Sequence, residues 1–392
     1  MPIPIRMSIN SSEQFHFFDS ITAIPTVDWS AIIPRQNVFL SLEFLFALEN
    51  SLRPSLKLIP VLIYNSEKKP LVAGVFQIST FIYKKTANQS SFLKIFQDCR
   101  NTDDSFSIKG LVCGNIFATG ENGFAFSNEI SKEEAITLMA TAAQKLKNND
   151  SLKNEFSIML FKEFWEKSVG AAKRLEAYKY RPFQIDVNMV LQMDSHWQRL
   201  EDYLGSMKAK YRAKANSAYK KSAALSIREL SEDDIQKYEQ DLVRLFNNVL
   251  QKSHYSYGVN YPLCFFNLKK NLGNRFHCRG FFFGEKLVGF STAFENCDNL
   301  EANYVGIDYG YNSEFAVYER ILYDYVELAI SLKVDQLHLG RTSELIKSAL
   351  GALPEAMTLY ARHTSKMKNI LLKPVLENIY PSEFELRKPF LK

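Results

Sequence analysis

The stretch Leu300–Gly340, LEANYVGIDYGYNSEFAVYERILYDYVELAISLKVDQLHLG, reads as strand, helix, strand. LEANYVGIDY is β-rich, Ser313 to Leu332 carries apolar residues at helical spacing, and VDQLHLG returns to strand. Upstream, FHCRGFFFGEKLVGFSTAFE holds two β-rich runs about Gly284-Glu285-Lys286, a hairpin signal. Further upstream, ALSIREL is a strand, and SEDDIQKYEQDLVRLFNNVLQKS a helix that Ser231 caps and acidic residues open. A second short helix is expected between Pro262 and Asn271. Downstream, Ser343 to Leu350 is a short helix and AMTLYARH a last strand.

The N-terminal half repeats much of this order. LKLIPVLIYNSEKKPLVAGVFQIST is a hairpin turning at Asn65 to Lys69, and SIKGLVCGN is a strand. A helix follows from Ser131 to Lys147, opened by the capping box Ser131-x-x-Glu134. FSIMLF is a strand, SVGAAKRLEAY a short helix and PFQIDVNMVLQM a strand. The expected class is α+β (mixed α/β), in two tandem units, each a mostly antiparallel mixed sheet flanked by helices. The expected boundaries are 1–192, a basic connecting helix over 193–224, and 225–392.

Hydrophobic content of 46% and charged content of 23% belong to a globular chain rather than a disordered or fibrous one. MPIPIRMSINSS lacks the apolar core of a signal peptide, and no apolar run reaches the length that spans a bilayer. Cys99, Cys113, Cys264, Cys278 and Cys297 are odd in number and scattered, without metal-ligand spacing. The expectation is reduced thiols, a cytoplasmic setting and no metal. Charge is concentrated between Gly205 and Leu225, where six basic residues meet no acidic one.

The element order resembles the GNAT superfamily, the acyl-CoA N-acyltransferase fold. Two units in tandem resemble the Fem-type transferases that build peptidoglycan cross-bridges, and related acetyltransferase-like proteins. The local matches are NVFLSLEFLFALENS, the basic MKAKYRAKANSAYKK and LHLGRTSELIKSALGA. The resemblance implies an N-acyltransferase that moves an acyl group from a thioester donor such as acyl-CoA to an amine. The acceptor would be a small molecule or a cell-wall precursor. The Fem-type resemblance implies, as the alternative, an aminoacyl-tRNA donor with the basic helix facing RNA; a further alternative is a binding module that keeps the fold without the chemistry.

In such a fold the donor's pyrophosphate rests on backbone N–H groups where the fourth strand meets the long helix. The matching VGIDYGYNSEF offers Gly310, with Asn312 at the second glycine position and Asp308 close by, so the motif is degraded. CGNIFATGENGF reads as turns rather than a second donor loop. Arg341 follows Gly340 where a strand gives way to a helix, beside Thr342, Ser343 and Lys347. A cation there is disfavoured by the helix dipole unless an anion answers it. Two readings stand: an anion site built from these four residues, or an ion pair of Arg341 with Glu344, Glu319 or Asp324. Glu301, Tyr304, Tyr309, Tyr311 and His338 lie on or beside the central strands. Of these Tyr304, Tyr309 and His338 are the candidates for proton transfer, with a purely structural histidine as the alternative. Lys210, Arg212 and Lys214 are either a solvated helix face or the wall of an anion-binding cleft between the units.

Overall fold

The computed structural model describes residues 13–34, 36–84, 105–253, 255–256, 258–381 and 383–391, so Cys99 and the first twelve residues lie outside it. The N-terminal half opens with β1 (Gln14–Phe17), α1 (Thr26–Ile32), α2 (Leu42–Leu52), β2 (Lys57–Tyr64) and β3 (Pro70–Lys84). It continues through β4 (Ser105–Cys113), β5 (Phe124–Phe126), α3 (Lys132–Lys147) and β6 (Ile158–Trp165). α4 (Glu166–Ala172), α5 (Arg174–Ala177), β7 (Arg181–Phe183) and β8 (Val187–Gln192) complete it. α6 (Leu200–Ser206) and α7 (Ala209–Lys221) connect the halves. The C-terminal half begins with β9 (Leu225–Glu229), α8 (Glu232–Lys237), α9 (Glu239–Lys252), β10 (Tyr255–Ser256) and α10 (Phe265–Leu272). Next come β11 (Phe276–Phe283), β12 (Lys286–Asn296), β13 (Asn299–Ile307), α11 (Tyr309–Phe315) and α12 (Val317–Leu332). β14 (Gln336–His338), α13 (Glu344–Ala349), β15 (Leu353–His363) and α14 (Lys366–Leu376) end it.

Local chemistry sets several boundaries. Ser131 and Ser231 each form a capping box, with Glu134 and Asp234, satisfying orphan amides at the starts of α3 and α8. The β11–β12 hairpin turns at Gly284, whose φ of 57° suits glycine. The helix expected over Ser313–Leu332 is broken. α11 starts earlier because Asp308 caps it, and Ala316 then adopts a left-handed conformation (φ 47°, ψ 44°) before α12. Asn312 Oδ1 accepts the Tyr318 N–H at 2.9 Å and so serves the new helix start. The strand expected over PFQIDVNMVLQM is likewise split into β7 and β8.

The two halves share one path of strands, β1-β2-β3-β4-β6-β15-β8-β14-β13-β12-β11-β9. Each half contains an antiparallel run and then one parallel pair, β4–β6 and β13–β14. The last strand of each half then pairs with the other. β8 lies antiparallel to β14, Leu191 opposite Leu337, while the second part of β15 inserts between β6 and β7. The first part of β15 pairs with β8. This reciprocal exchange brings the ends of β6 and β14 together.

Helices cover both faces. α3 buries Ala135, Met139, Ala142 and Ala143 against the N-terminal strands. α12 buries Ile321, Tyr325 and Val326 against the C-terminal ones. A third cluster, including Phe39, Phe44, Phe265, Phe290 and Phe294, packs α2 onto the α10 side of the C-terminal half. At about 1.5–3 kcal/mol for each fully buried large side chain, that shared core joins the halves more strongly than a polar contact would.

Candidate active site

The parallel ladder between β13 and β14 covers Asn299–Gln336, Leu300–Leu337 and Glu301–His338, and then stops. β13 continues to Ile307, so the strands part at the Glu301–His338 pair. His338 Nδ1 lies 3.3 Å from Glu301 Oε1, and its Nε2 lies 2.9 Å from Gln336 Oε1. The Asn188 amide sits 3.3 Å from Nδ1, and Trp165 meets the ring edge-on at 6.1 Å. Asn188 and Trp165 belong to the N-terminal half, so the exchanged strands build this environment. Burial alone would lower the imidazole pKa, but the Glu301 carboxylate outweighs it and holds the pKa above its usual value.

Beyond the pair, Asn303 Nδ2 donates to Phe117 O at 2.6 Å, and Phe117 stacks on Tyr261 at 4.3 Å. Asn303 Oδ1, Asn115 Nδ2 and the Tyr261 hydroxyl are buried without a hydrogen-bond partner. Unpaired buried polar atoms carry a desolvation cost and point to a bound group or water.

A charged cluster ties the halves beside this fork. Arg341 Nη2 lies 2.8 Å from Glu163 Oε1 and Nη1 lies 4.0 Å from Asp186 Oδ2. Glu163 is fully buried in β6, where the pairing with β15 shifts and two residues face one. That bulge turns Glu163 and its neighbour Lys162 out of alternation. Glu163 Oε2 also accepts the Gly120 N–H at 2.8 Å. Gly120 is required there, since its φ is 92° and a Cβ would sit 2.3 Å from Trp165. Burial would raise the Glu163 pKa, but Arg341 and Lys162 prevail and lower it. Lys162 donates to Ala118 O at 2.6 Å, and burial brings its pKa down to about 8. Lys347 donates to Gly340 O at 3.2 Å and Arg341 O at 2.6 Å, and burial brings its pKa down to about 7. A neutral amine has the two N–H groups those carbonyls need. Glu163, Thr342 and Ser343 all hold positive φ, at 61°, 64° and 56°. Such strain costs on the order of 1–3 kcal/mol per residue and gathers at functional sites.

Arg341 is thus taken up by the chain's own Glu163, and Lys347 by the carbonyls of Gly340 and Arg341 on the turn that carries Thr342 and Ser343. Arg341 pairs with Glu163 and Asp186 rather than with Glu344, Glu319 or Asp324, and Asp324 instead faces Arg279 at 3.0 Å. Ser343 does not cap α13 with its side chain. Tyr304 packs between Phe246 and Tyr261, and Lys252 covers the Tyr309 ring at 3.2 Å. Lys210 and Lys214 are exposed and Arg212 half-buried on α7, whose Ala215 and Ala218 pack in the α12 core. Sequence reasoning passed over Glu163, Lys162, Asn188 and Trp165. The signal was a Lys-Glu pair interrupting the apolar run IMLFKEFW.

No family profile matches the sequence, and no curated protein does. Solved structures do. A conserved protein of unknown function from Bacteroides thetaiotaomicron aligns over 89% of this chain and 99% of its own, at 11% identity and a TM-score of 0.51. A tandem GNAT protein from the clavulanic acid biosynthesis pathway aligns over 90% and 99%, at 10% identity and a TM-score of 0.50. FemX aligns over 88% and 96%, at 6% identity and a TM-score of 0.51. The chain has the tandem GNAT fold.

In this GNAT fold the β13–α11 junction is where the resemblance expects the donor pyrophosphate. Asp308 Oδ1 already accepts the Gly310 N–H at 3.1 Å. Its other oxygen lies 3.4 Å from Arg244 and 3.3 Å from Lys286. The Gly310 amide and two nearby cations are thus already engaged by a carboxylate, and Asn312 is committed to α12. The residues at this junction do not fit a CoA pyrophosphate. Among the described residues, no helix is long and apolar enough to cross a membrane, and no cluster of three or more metal-ligating side chains occurs.

Proposed function

We propose that the chain is a transferase that moves an acyl or aminoacyl group from an ester or thioester to an amine. The reacting centre would lie at the fork between β13 and β14. The observation that carries this is the buried Glu301–His338 pair, placed where the parallel ladder stops and unpaired polar atoms begin. In the transfer, the amine nitrogen forms a bond to the acyl carbon while the C–S or C–O bond breaks. His338 Nε2, on leaving Gln336 Oε1, would take the proton lost by the nitrogen and return it to the leaving group, while Glu301 at Nδ1 stabilises the imidazolium between those events. Asn303 and Tyr261 would orient the acceptor, a small molecule or a cell-wall precursor bearing an amine.

A second reading of the donor rests on Asp308. With that carboxylate in the pyrophosphate position, an aminoacyl ester on tRNA suits the chain better than acyl-CoA. In this reading the exposed lysines of α7, which packs on α11 and α12, would meet the RNA backbone. The reading includes a cytoplasmic setting and two repeats divided at 1–192, 193–224 and 225–392.

The test is transfer to a panel of amines from acetyl-CoA and from charged tRNA, by wild type and by His338→Gln and Glu301→Gln. Removing a general acid–base should lower turnover by about 10²–10⁴-fold for His338→Gln, with a smaller loss for Glu301→Gln. Unchanged turnover in both variants would overturn the assignment.

A further inference from the structure

Helix α14, KMKNILLKPVL, has two apolar faces. Leu372 and Leu376 are buried with Ile108 and Ala361. Asn369 pins the helix by accepting from His363 N at 2.8 Å and donating to Lys179 O at 3.0 Å. At about 100° per residue, Met367, Ile370, Leu371 and Pro374 form an arc directly opposite those three. They face solvent, with Met367 80%, Ile370 70% and Leu371 54% exposed. The same spacing sets Lys366 and Lys373 along one flank of the arc and Lys368 along the other. Lys147 and Arg362 add positive charge nearby. Burial first, and then the charges of Arg362 and Lys366, hold the Lys147 pKa below its usual value. Glu377 is the carboxylate that answers Lys373, at 3.6 Å.

Scattered exposed apolar residues are ordinary, but Met367, Ile370 and Leu371 within about one turn of a helix, bordered by lysines, form a contiguous exposed patch. We infer that α14 lies on a bilayer containing anionic lipid, its apolar arc in the headgroup–acyl boundary and its lysines at the phosphates. Charge selects this occupant over a second copy of the chain. Two copies meeting through α14 would set lysine rows and the Lys147–Arg362 cluster against their like, whereas an anionic surface complements the net positive charge of that face.

The test is co-sedimentation of the full chain with phosphatidylcholine vesicles, with and without phosphatidylglycerol. Wild type should favour the anionic vesicles by roughly tenfold, with the preference fading as salt rises. Ile370→Ser with Leu371→Ser should lower partitioning to both kinds, and Lys366→Glu with Lys373→Glu should remove the preference. All four side chains face solvent, so the fold is retained. As a second measurement, Met367→Trp should show quenching by brominated lipid that wild type lacks. Equal binding to both vesicles, unchanged binding by the Ser pair, or unquenched fluorescence would overturn the inference. So would a self-association that Ile370→Ser with Leu371→Ser dissolves. None of these readouts depends on transferase activity.

Discussion

Arg341, on the turn after β14, holds Glu163 of the bulged β6 at 2.8 Å, and the two residues come from opposite halves of the chain. Within its own half Glu163 also meets Lys162 at 2.6 Å and the Gly120 N–H at 2.8 Å. Glu163 has no exposure, so removing Arg341 would leave a buried carboxylate with Lys162 as its one remaining ion-pair partner among the described residues, beside the Gly120 N–H. Breaking one side of such a pair costs about 3–5 kcal/mol. Arg341→Ala should therefore shift the urea midpoint strongly downward, while Arg341→Lys recovers part of the loss. An unchanged midpoint would show that the pair contributes nothing to joining the halves. Because the Glu163 pKa is lowered on folding, its contribution is present above the unfolded carboxylate pKa of 4.5 and is lost as pH falls through the folded value.

Lys347 gives a slope of the same sign in a higher pH window. Its pKa falls from 10.5 to about 7 on burial, so between those values the unfolded chain binds more protons than the folded one. Stability should rise with pH across that window. Lys162, brought down to about 8, adds to the same slope. Lys347→Met should leave a shallower rise, measured by urea unfolding at several pH values between 7 and 10. The slope is the readout, since the variant also strands the carbonyls of Gly340 and Arg341.

The Glu301–His338 pair raises the histidine pKa on folding, so its stabilisation is complete below the unfolded histidine pKa of 6.5 and lost as pH rises through the folded value. Glu301→Gln removes the charge that opposes desolvation, and the His338 pKa should then drop below 6.5. Imidazole proton shifts followed by NMR titration would read this directly. A pKa that stays raised in the variant would show that another group sets it.

Asp308 accounts for the poor fit of a pyrophosphate at the start of α11. Asp308→Asn keeps the side-chain cap to Gly310 but removes the charge, leaving Arg244 and Lys286 to face an incoming anion. The variant should bind CoA at least about tenfold more tightly than wild type, since a tenfold change corresponds to about 1.4 kcal/mol and charge-assisted contacts supply that much. Calorimetry would measure it. Tight CoA binding by wild type would show that the carboxylate moves aside.

The hairpins, the capped helices and the strand–helix–strand order were legible in the chain because each is set locally, by turn residues, Ser caps and apolar period. The break at Ala316 was not, because apolar spacing runs through it and only Asp308 and Asn312 capping separate helices reveals it. The neighbourhood of Arg341 was legible as a place needing an anion. Its partner was not, since Glu163 is remote in sequence and is aimed by a bulge that arises only when β15 pairs with β6. The same exchange conceals Asn188 and Trp165 beside His338. Local spacing does not encode which half a strand joins.

The exchange of β8 and β15 also governs the order in which the chain can be assembled. Trp165 pairs with Met357, so β6 waits for almost the whole polypeptide before its outer edge is closed. During synthesis the first half would emerge with an apolar strand edge open, at the rate of ribosomal elongation rather than of folding. Contacts of such long range slow folding, and a fragment ending near residue 192 would keep that edge permanently. Expressed alone, the first half should aggregate, and it should be rescued by supplying the second half in trans.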